Sequence, residues 1–149
     1  MGVILNLEEI KTSWEKDAKI NENNIALESI KCSSLHAKYI GEIASHKSRE
    51  IKLKSEYSKV KKIKVKYFNG EMSKEELEEY QLEQYQGKRM LKTQMDEFLA
   101  GDEDLLLILN KLDYTKTCIY VLEGIIKSIY GRSYDVRNFV ESRKFELGY

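Results

Sequence analysis

The chain has 149 residues, with 25 basic and 25 acidic side chains, so it carries no net charge at pH 7. It contains no proline, only eight glycines and 34% charged residues, a composition typical of long helices that argues against a β-sandwich or β-barrel. Its length fits a single helical domain with a modest core. Long thin helices leave apolar surface uncovered, so we expect an elongated all-α protomer that assembles with further copies of itself.

The first predicted helix begins after Asn6, since Glu9 follows three residues later at the spacing of a capping box. Its apolar residues keep helical spacing to about Lys19. The start of the chain has neither a basic leader nor a long apolar run. No stretch of the sequence is long and apolar enough to cross a membrane. We therefore expect no targeting signal and no membrane partner.

The second predicted helix is about forty residues long, because a three-four apolar spacing persists until Asn69-Gly70 interrupts it. Asn23 or Asn24 can cap its start. Between residues 47 and 66 it carries nine basic and two acidic side chains, a local net charge of +7. A helical projection places an apolar seam between two flanks of lysines. The seam consists of Leu53, Tyr57, Val60, Ile63 and Tyr67.

The end of this helix forms what we call the lysine stripe, which consists of Lys59, Lys61, Lys62, Lys64 and Lys66. A basic stripe in a neutral protein attracts a polyanion, so we interpret it as a nucleic-acid contact. Tyr67 and Phe68 follow directly and suit stacking on unpaired bases, although core packing explains aromatic residues as well. Residues 62–67 also alternate with period two, which suits a strand; we favour the helix because the seam continues upstream.

The acidic segment after the stripe offers a second interpretation. Residues 71–83 contain six glutamates and one lysine, a net charge of −5. Such a segment could neutralise much of the stripe by ion pairing within the protein. The competing function is therefore that of a helical structural or interaction module whose lysines pair internally and never meet DNA.

Two more long helices are predicted downstream. A capping box at Ser73 opens a third helix that runs to Gly101. Its buried side, interrupted at Gly87, would comprise Leu77, Tyr80, Gln84, Leu91, Met95 and Phe98. The acids at 102–104 open a fourth helix toward Gly131. Residues 105–109 are apolar on nearly every face, which predicts burial between several neighbours, including other subunits.

The last predicted helix starts after Ser133 and has Arg132 on its polar side. Its apolar face is formed by Val136, Phe139, Val140 and Phe145. Because long helices leave surface uncovered, we expect this face to join protomers. The single domain then comprises N-terminal helices over residues 1–70, middle helices over 71–132 and an oligomerisation helix over 133–149.

The sequence contains no recognisable catalytic or metal-binding motif. A phosphate-cradling loop, a nucleophile elbow and a His-Glu-x-x-His pair are all absent. His36 and His46 lack partners at zinc spacing, and the acids at 102–104 are better explained as helix-start residues than as ligands of a divalent ion. Cys32 and Cys118 lie far apart in helical patterns, which favours reduced thiols in a cytoplasmic protein. We expect no enzyme, no cofactor and no metal.

Three segments carry the most specific likeness to a known family. They are residues 62–70 (KIKVKYFNG), 126–128 (IKS) and 143–148 (RKFELG). On these segments, and over nearly its whole length, the chain resembles the UvsY family of recombination mediators from T4-type bacteriophages. Lys62 and Lys64 match the basic pair that is linked in that family to single-strand binding. The predicted helix after Ser133 matches the segment that builds the family's oligomer.

The resemblance implies a non-enzymatic, all-helical protein in the cytoplasm of the infected bacterial host. It implies a ring-like homo-oligomer, a heptamer, that wraps single-stranded DNA. It also implies two phage partners besides DNA. These are the recombinase and the single-strand binding protein. The recombinase is loaded onto the strand in place of the single-strand binding protein during homologous recombination, replication and repair.

Overall fold

The computed structural model describes residues 3–149, and all regular structure within them is α-helical. The five helices in chain order are α1 (Leu7–Asp17), α2 (Ile25–Phe68), α3 (Lys74–Glu79), α4 (Lys92–Ala100) and α5 (Glu103–Glu146). The prediction of an all-α fold with long helices is therefore confirmed. Among these five helices none combines the length and apolarity needed to cross a membrane.

The chain forms two compact units. Unit 1 contains the residues up to Arg49 together with Tyr114–Tyr149, and unit 2 contains Glu50–Asp113. The two long helices, α2 and α5, each contribute residues to both units. The lysine stripe belongs entirely to unit 2.

Unit 1 is organised around one apolar cluster to which α1, α2 and α5 all contribute. Its buried members are Ile10, Leu35, Tyr39, Ile43, Cys118, Leu122, Ile125, Ile126 and Ile129. The start of α1 is held by the predicted capping box, in which the Glu9 amide donates to Asn6 Oδ1 at 2.9 Å and the Asn6 amide donates to Glu9 Oε2 at 2.8 Å. Trp14 meets Tyr39 edge to face, with ring centroids 5.6 Å apart. These contacts hold α1 against the two long helices.

A buried ion pair joins α5 to the beginning of α2. Arg132 is 3% exposed and donates to Glu28 Oε2 at 2.6 Å, while Glu28 is 0% exposed. The same guanidinium donates to the carbonyl oxygens of Ala18 and Lys19, at 3.0 and 3.1 Å. Burial alone would raise the pKa of Glu28, but hydrogen bonds, first from Arg132, outweigh it and hold the pKa below its ordinary value. The prediction that Arg132 lies on a polar surface is wrong.

The second helix runs unbroken from Ile25 to Phe68, so the strand alternative for residues 62–67 is wrong. Asn24 caps its start, with Oδ1 accepting from the Leu27 amide at 3.2 Å. At its end Gly70 has φ +72°, the left-handed conformation that glycine adopts without a Cβ penalty. The Glu71 amide then bonds the Lys66 carbonyl at 3.1 Å, which closes the helix as a Schellman motif.

The predicted third helix is in fact two short helices with an irregular connection over residues 80–91. The capping box at Ser73 is confirmed, but α3 ends after six residues, and Gln81 takes up the left-handed conformation with φ 55°. Tyr80, Gln84, Leu91 and Phe98 are exposed, Leu77 is half-buried, and Met95 alone among the predicted inward residues is buried. A continuous helix would have lacked a buried face along most of this length, which explains why the prediction was wrong.

The fifth helix continues through Gly131 and Ser133 to Glu146, so the separate last helix that was predicted does not exist. Ser133 does not cap a new helix; its hydroxyl donates to the Tyr130 carbonyl one turn earlier, at 3.4 Å. A glycine inside a helix costs about 1 kcal/mol relative to alanine, a cost that buried contacts at neighbouring positions can outweigh. Arg132 supplies such contacts next to the glycine.

Unit 2 has two small apolar clusters. One consists of Leu53, Ile108 and Leu112, and the other of Met95, Leu99 and Leu105. Leu53 belongs to the first cluster, and Tyr57 and Val60 of the predicted seam pack against both, so this part of the seam is confirmed. Further along α2 it is Val65 and Phe68, not Ile63 and Tyr67, that pack against the second cluster. Within residues 105–109 the burial is one-sided, since Leu107 is 56% exposed. The expectation of burial on nearly every face is not met within this protomer.

Candidate nucleic-acid interface

The apolar seam of α2 determines where the lysine stripe lies. Because Leu53 is buried and Tyr57 and Val60 are half-buried against the clusters of unit 2, the lysines on the seam's two flanks are directed away from the core. Lys59, Lys62 and Lys66 line the α3 side. Lys59 and Lys62 are exposed, whereas Lys61, Lys64 and Lys66 are half-buried. The stripe is therefore not one uniform surface.

Lys59 and Lys62 are the members of the stripe with the most available charge. Neither has an ion-pair partner among residues 3–149. Both line a cavity of about 360 Å³ whose other walls come from α2, α3 and the turns beside α3. Those further lining residues are Ile63, Lys66, Met72, Glu76, Glu79 and Tyr80.

Lys66 is engaged by the acidic segment that follows the stripe. Its Nζ donates to Glu76 Oε1 at 2.5 Å, and this hydrogen bond is the first cause that lowers the pKa of the Glu76 carboxyl. Glu76 also accepts from the Ser73 amide at 3.2 Å as part of the α3 cap. The predicted internal pairing thus occurs at this lysine.

Lys64 is held by the start of α5. Its Nζ lies 2.9 Å from both Asp102 Oδ2 and Asp104 Oδ2, and its side chain is 21% exposed. Burial acts to lower the pKa of Lys64, but hydrogen bonds to the two carboxylates outweigh it and raise the pKa above its ordinary value. Asp102 also caps α5 by accepting from the Leu105 amide at 3.1 Å. The predicted binding residue therefore has a structural partner already.

Tyr67 and Phe68 belong to an aromatic cluster. The Phe68 ring packs edge to face against Phe98 and Tyr85, with centroids 5.0 and 5.3 Å apart. Tyr67 packs against both Phe68 and Tyr85, and its hydroxyl donates to the Glu83 carbonyl at 2.9 Å. Both residues are half-buried, so core packing accounts for a large part of their surface. Sequence reasoning missed Tyr85 as a partner because the helix predicted there does not form.

Basic residues from outside the stripe also approach α2. Lys61 shares a cavity of about 500 Å³ with Arg89 and Lys92. The sequence does contain three basic side chains within residues 88–92. Because a continuous helix was predicted there, we did not expect Arg89 and Lys92 to lie near Lys61.

The four residues predicted to join protomers differ in exposure. Val136 is buried within the chain, Phe139 and Val140 are less exposed than the residues that follow them, and Phe145 is 85% exposed. Phe139 and Val140 line a cavity of about 730 Å³ at the end of α5. The open apolar surface thus lies beyond Val136.

The titratable residues that sequence reasoning considered as metal ligands have other contacts. No group of three or more His, Cys, Asp or Glu residues within 3–149 is arranged to hold a metal ion. His46 is buried with Nε2 3.0 Å from the Leu5 carbonyl oxygen, and His36 Nε2 lies 3.3 Å from the Tyr130 hydroxyl.

The chain is similar to known proteins over almost its full length. A family model described as "Recombination, repair and ssDNA binding protein UvsY" matches residues 13–149. The recombination protein uvsY of Enterobacteria phage T4 is 21% identical over 144 residues, which cover 97% of this chain and 99% of that protein.

Crystal structures of the bacteriophage T4 recombination mediator protein UvsY share the fold. The structure from lattice type II has a TM-score of 0.81 at 21% identity and covers 97% of this chain and 99% of that chain. The structure from lattice type IV also has a TM-score of 0.81, at 19% identity, and covers 95% and 99%. At such low identity the likeness supports the helical architecture alone.

Proposed function

Because the chain belongs to the UvsY family of recombination, repair and single-stranded-DNA-binding proteins, we propose that it acts as a phage recombination mediator. It binds single-stranded DNA and promotes loading of the recombinase in place of the single-strand binding protein. Its role is non-enzymatic, and its partners are the strand, these two phage proteins and further copies of itself. It acts in the cytoplasm of the infected host.

The observation that carries the proposal is the availability of Lys59 and Lys62. Both project from a helix whose opposite side is packed, and neither is paired within the described residues. Lysines in this state release counterions from a phosphate backbone when they bind it, which drives sequence-independent association. Lysine is a point charge without a fork for reading base edges, so sequence preference should be slight.

Internal pairing, the competing explanation, accounts for part of the stripe. Lys66 is bound to Glu76, and Lys64 to Asp102 and Asp104. Since exposed ion pairs contribute only about 0–1 kcal/mol, a phosphate can compete for the more open Lys66 more easily than for Lys64. We assign the primary contact to Lys59, Lys61 and Lys62, with Lys66 joining when the strand is bound.

Assembly into a ring-like oligomer, for which we propose seven copies, multiplies this contact. The exposed apolar residues at the end of α5, including Phe145, supply surface for a neighbouring protomer. When one strand touches several protomers, each contact after the first is intramolecular, so avidity rises by orders of magnitude. Tyr67 and Phe68 contribute only with the ring surface that their cluster leaves exposed.

A pair of double variants tests the proposal. We expect Lys59→Ala with Lys62→Ala to weaken binding of a fluorescent oligothymidylate and to reduce the slope of log affinity against log salt by about 0.7 for each phosphate that is no longer neutralised. Lys116→Ala with Lys127→Ala removes the same charge from exposed positions of α5 in unit 1 and serves as control. Equal affinity and slope in both variants, or no binding by the unaltered protein at low salt, contradicts the proposal.

A further inference from the structure

A second basic surface lies beside α2, on the flank that carries Lys61. A cavity of about 500 Å³ is lined there by Lys61, by Arg89 from the irregular connection and by Lys92 from the first turn of α4. Asp96 is the one acidic residue among its described lining residues, so positive charges outnumber negative ones by three to one. We call this cavity the Arg89 cleft.

The cations of the Arg89 cleft are largely unengaged. Lys61 and Lys92 have no ion-pair partner among residues 3–149. Arg89 reaches Glu71 at 4.0 Å, with both side chains more than half exposed, and such a pair is weak in water. By contrast, Lys66 in the neighbouring cavity is already bound to a glutamate. The Arg89 cleft therefore carries available positive charge of its own, in addition to that of Lys59 and Lys62 on the side that faces α3.

The backbone that carries these cations is anchored, although it is irregular. Met90 packs against the cluster formed by Met95, Leu99 and Leu105, and it lies directly beside Arg89 in sequence. The Tyr85 hydroxyl bonds the Lys88 carbonyl at 3.3 Å. Lys92 opens α4, whose inner residues belong to that same cluster. Packing within unit 2 thus holds the backbone on either side of these three cations.

We propose that the Arg89 cleft binds phosphates of the same single strand that contacts the stripe, so that DNA engages both flanks of α2. The inference rests on the proposed function and extends it to Arg89 and Lys92. An arginine fork bonds a phosphate through two parallel N–H groups, while lysines contribute point charges. The half-buried Val65 and Met90 supply an apolar floor for sugar and base, which suits a nucleotide chain better than an acidic peptide.

The test removes the two cations that lie outside the stripe. Arg89→Ala with Lys92→Ala is compared with Lys116→Ala plus Lys127→Ala, which remove equal charge, by oligothymidylate anisotropy over a range of salt. We expect the salt slope to fall by about 1.4 if both residues contact phosphate, and affinity at low salt to fall at least several-fold, with the control unchanged. Arg89→Lys should keep the slope and reduce the affinity in part, because charge remains but the fork does not.

The outcomes separate this inference from the proposed function. If the Arg89/Lys92 variant matches the control while Lys59→Ala with Lys62→Ala binds poorly, the cleft is not a DNA site and the proposed function stands. If the unaltered protein binds no oligonucleotide, both proposals fail. If the variant no longer binds a polyglutamate peptide but still binds oligothymidylate, the cleft is a docking site for an acidic protein segment, and the inference is wrong. Unchanged far-ultraviolet circular dichroism confirms that each variant is folded.

Discussion

In unit 1 nine buried side chains from three helices form a single cluster, whereas unit 2 has two clusters of three. Unit 1 adds an ion pair that is almost completely buried, Arg132 with Glu28. Unit 2 relies on partly exposed pairs, those of Lys64 and Lys66, and contains the irregular connection. The proposed DNA surfaces all lie in the unit with the smaller clusters, as expected if binding regions come from the less stable parts of a protein.

The largest expected effect is a loss of stability caused by a substitution in unit 1. Arg132→Ala should lower the free energy of unfolding by about 3 kcal/mol, since it leaves Glu28 buried with only Lys31 as a charged partner. Arg137→Ala, at an exposed position of the same helix, should change it by less than about 0.5 kcal/mol. Urea unfolding monitored by circular dichroism measures both.

A compensating variant sharpens this expectation. Arg132→Met with Glu28→Leu replaces the pair by apolar groups and should recover most of the stability, because no charge is then left buried without a partner. A double variant as unstable as Arg132→Ala would show that the bonds to Ala18 and Lys19 matter more than the charges.

A smaller effect is expected in unit 2. Lys64→Ala should cost about 1 kcal/mol, because it removes a partly exposed pair with Asp102 and Asp104. Asp102→Asn is the matched variant, since asparagine can still cap α5 while the pair is weakened. If Lys64 is purely structural, neither variant changes the salt slope of DNA binding. A lower slope for Lys64→Ala alone would mean that this lysine also reaches a phosphate.

The smallest expected effect is on the pH dependence of stability, and it arises from His46 in unit 1. Burial is the first cause that lowers the pKa of His46. Its Nε2 must donate to the Leu5 carbonyl, and its buried Nδ1 has no partner in the described structure. The folded protein therefore binds fewer protons at this residue than the unfolded chain, so stability falls as pH drops below about 6.5.

The measurement is the thermal midpoint at pH 7.5 and 5.5, a range above the ordinary pKa values of carboxylates. The midpoint should fall less for His46→Gln than for the unaltered protein. Identical pH dependence in both proteins would rule out His46 as the source.

Local signals allowed much of the fold to be predicted. Asn6, Ser73 and Gly70 mark helix ends through contacts within a few residues, and all three predictions are confirmed. The break at 80–91 and the continuity of α5 depend instead on which side chains find a distant core. Arg132 illustrates this, because its partner Glu28 lies 104 residues away.

The candidate site could likewise be predicted where it depends on local patterns, but not where it depends on residues far apart in the chain. Helical periodicity correctly identified Leu53, Tyr57 and Val60 as packed, but it missed that Val65 and Phe68 replace Ile63 and Tyr67 at the end of α2. It could not tell that Lys64 would meet Asp102 or that Lys61 would share a cavity with Arg89, since both depend on how the chain returns to α2. The assignment of individual lysines to DNA stays a prediction.

The division of the chain into units also bears on how the protein is made. Unit 2 is one uninterrupted segment, Glu50–Asp113, whereas unit 1 joins the beginning of the chain to its final stretch, Tyr114–Tyr149. During synthesis unit 2 can close its own contacts first, while the first 49 residues must wait for the second half of α5 to leave the ribosome. The guanidinium that ties Ala18 and Lys19 to Glu28 arrives more than 100 residues after them. Nascent chains thus expose the inner faces of α1 and early α2 until translation is nearly complete, and this is the period in which they most need protection from aggregation.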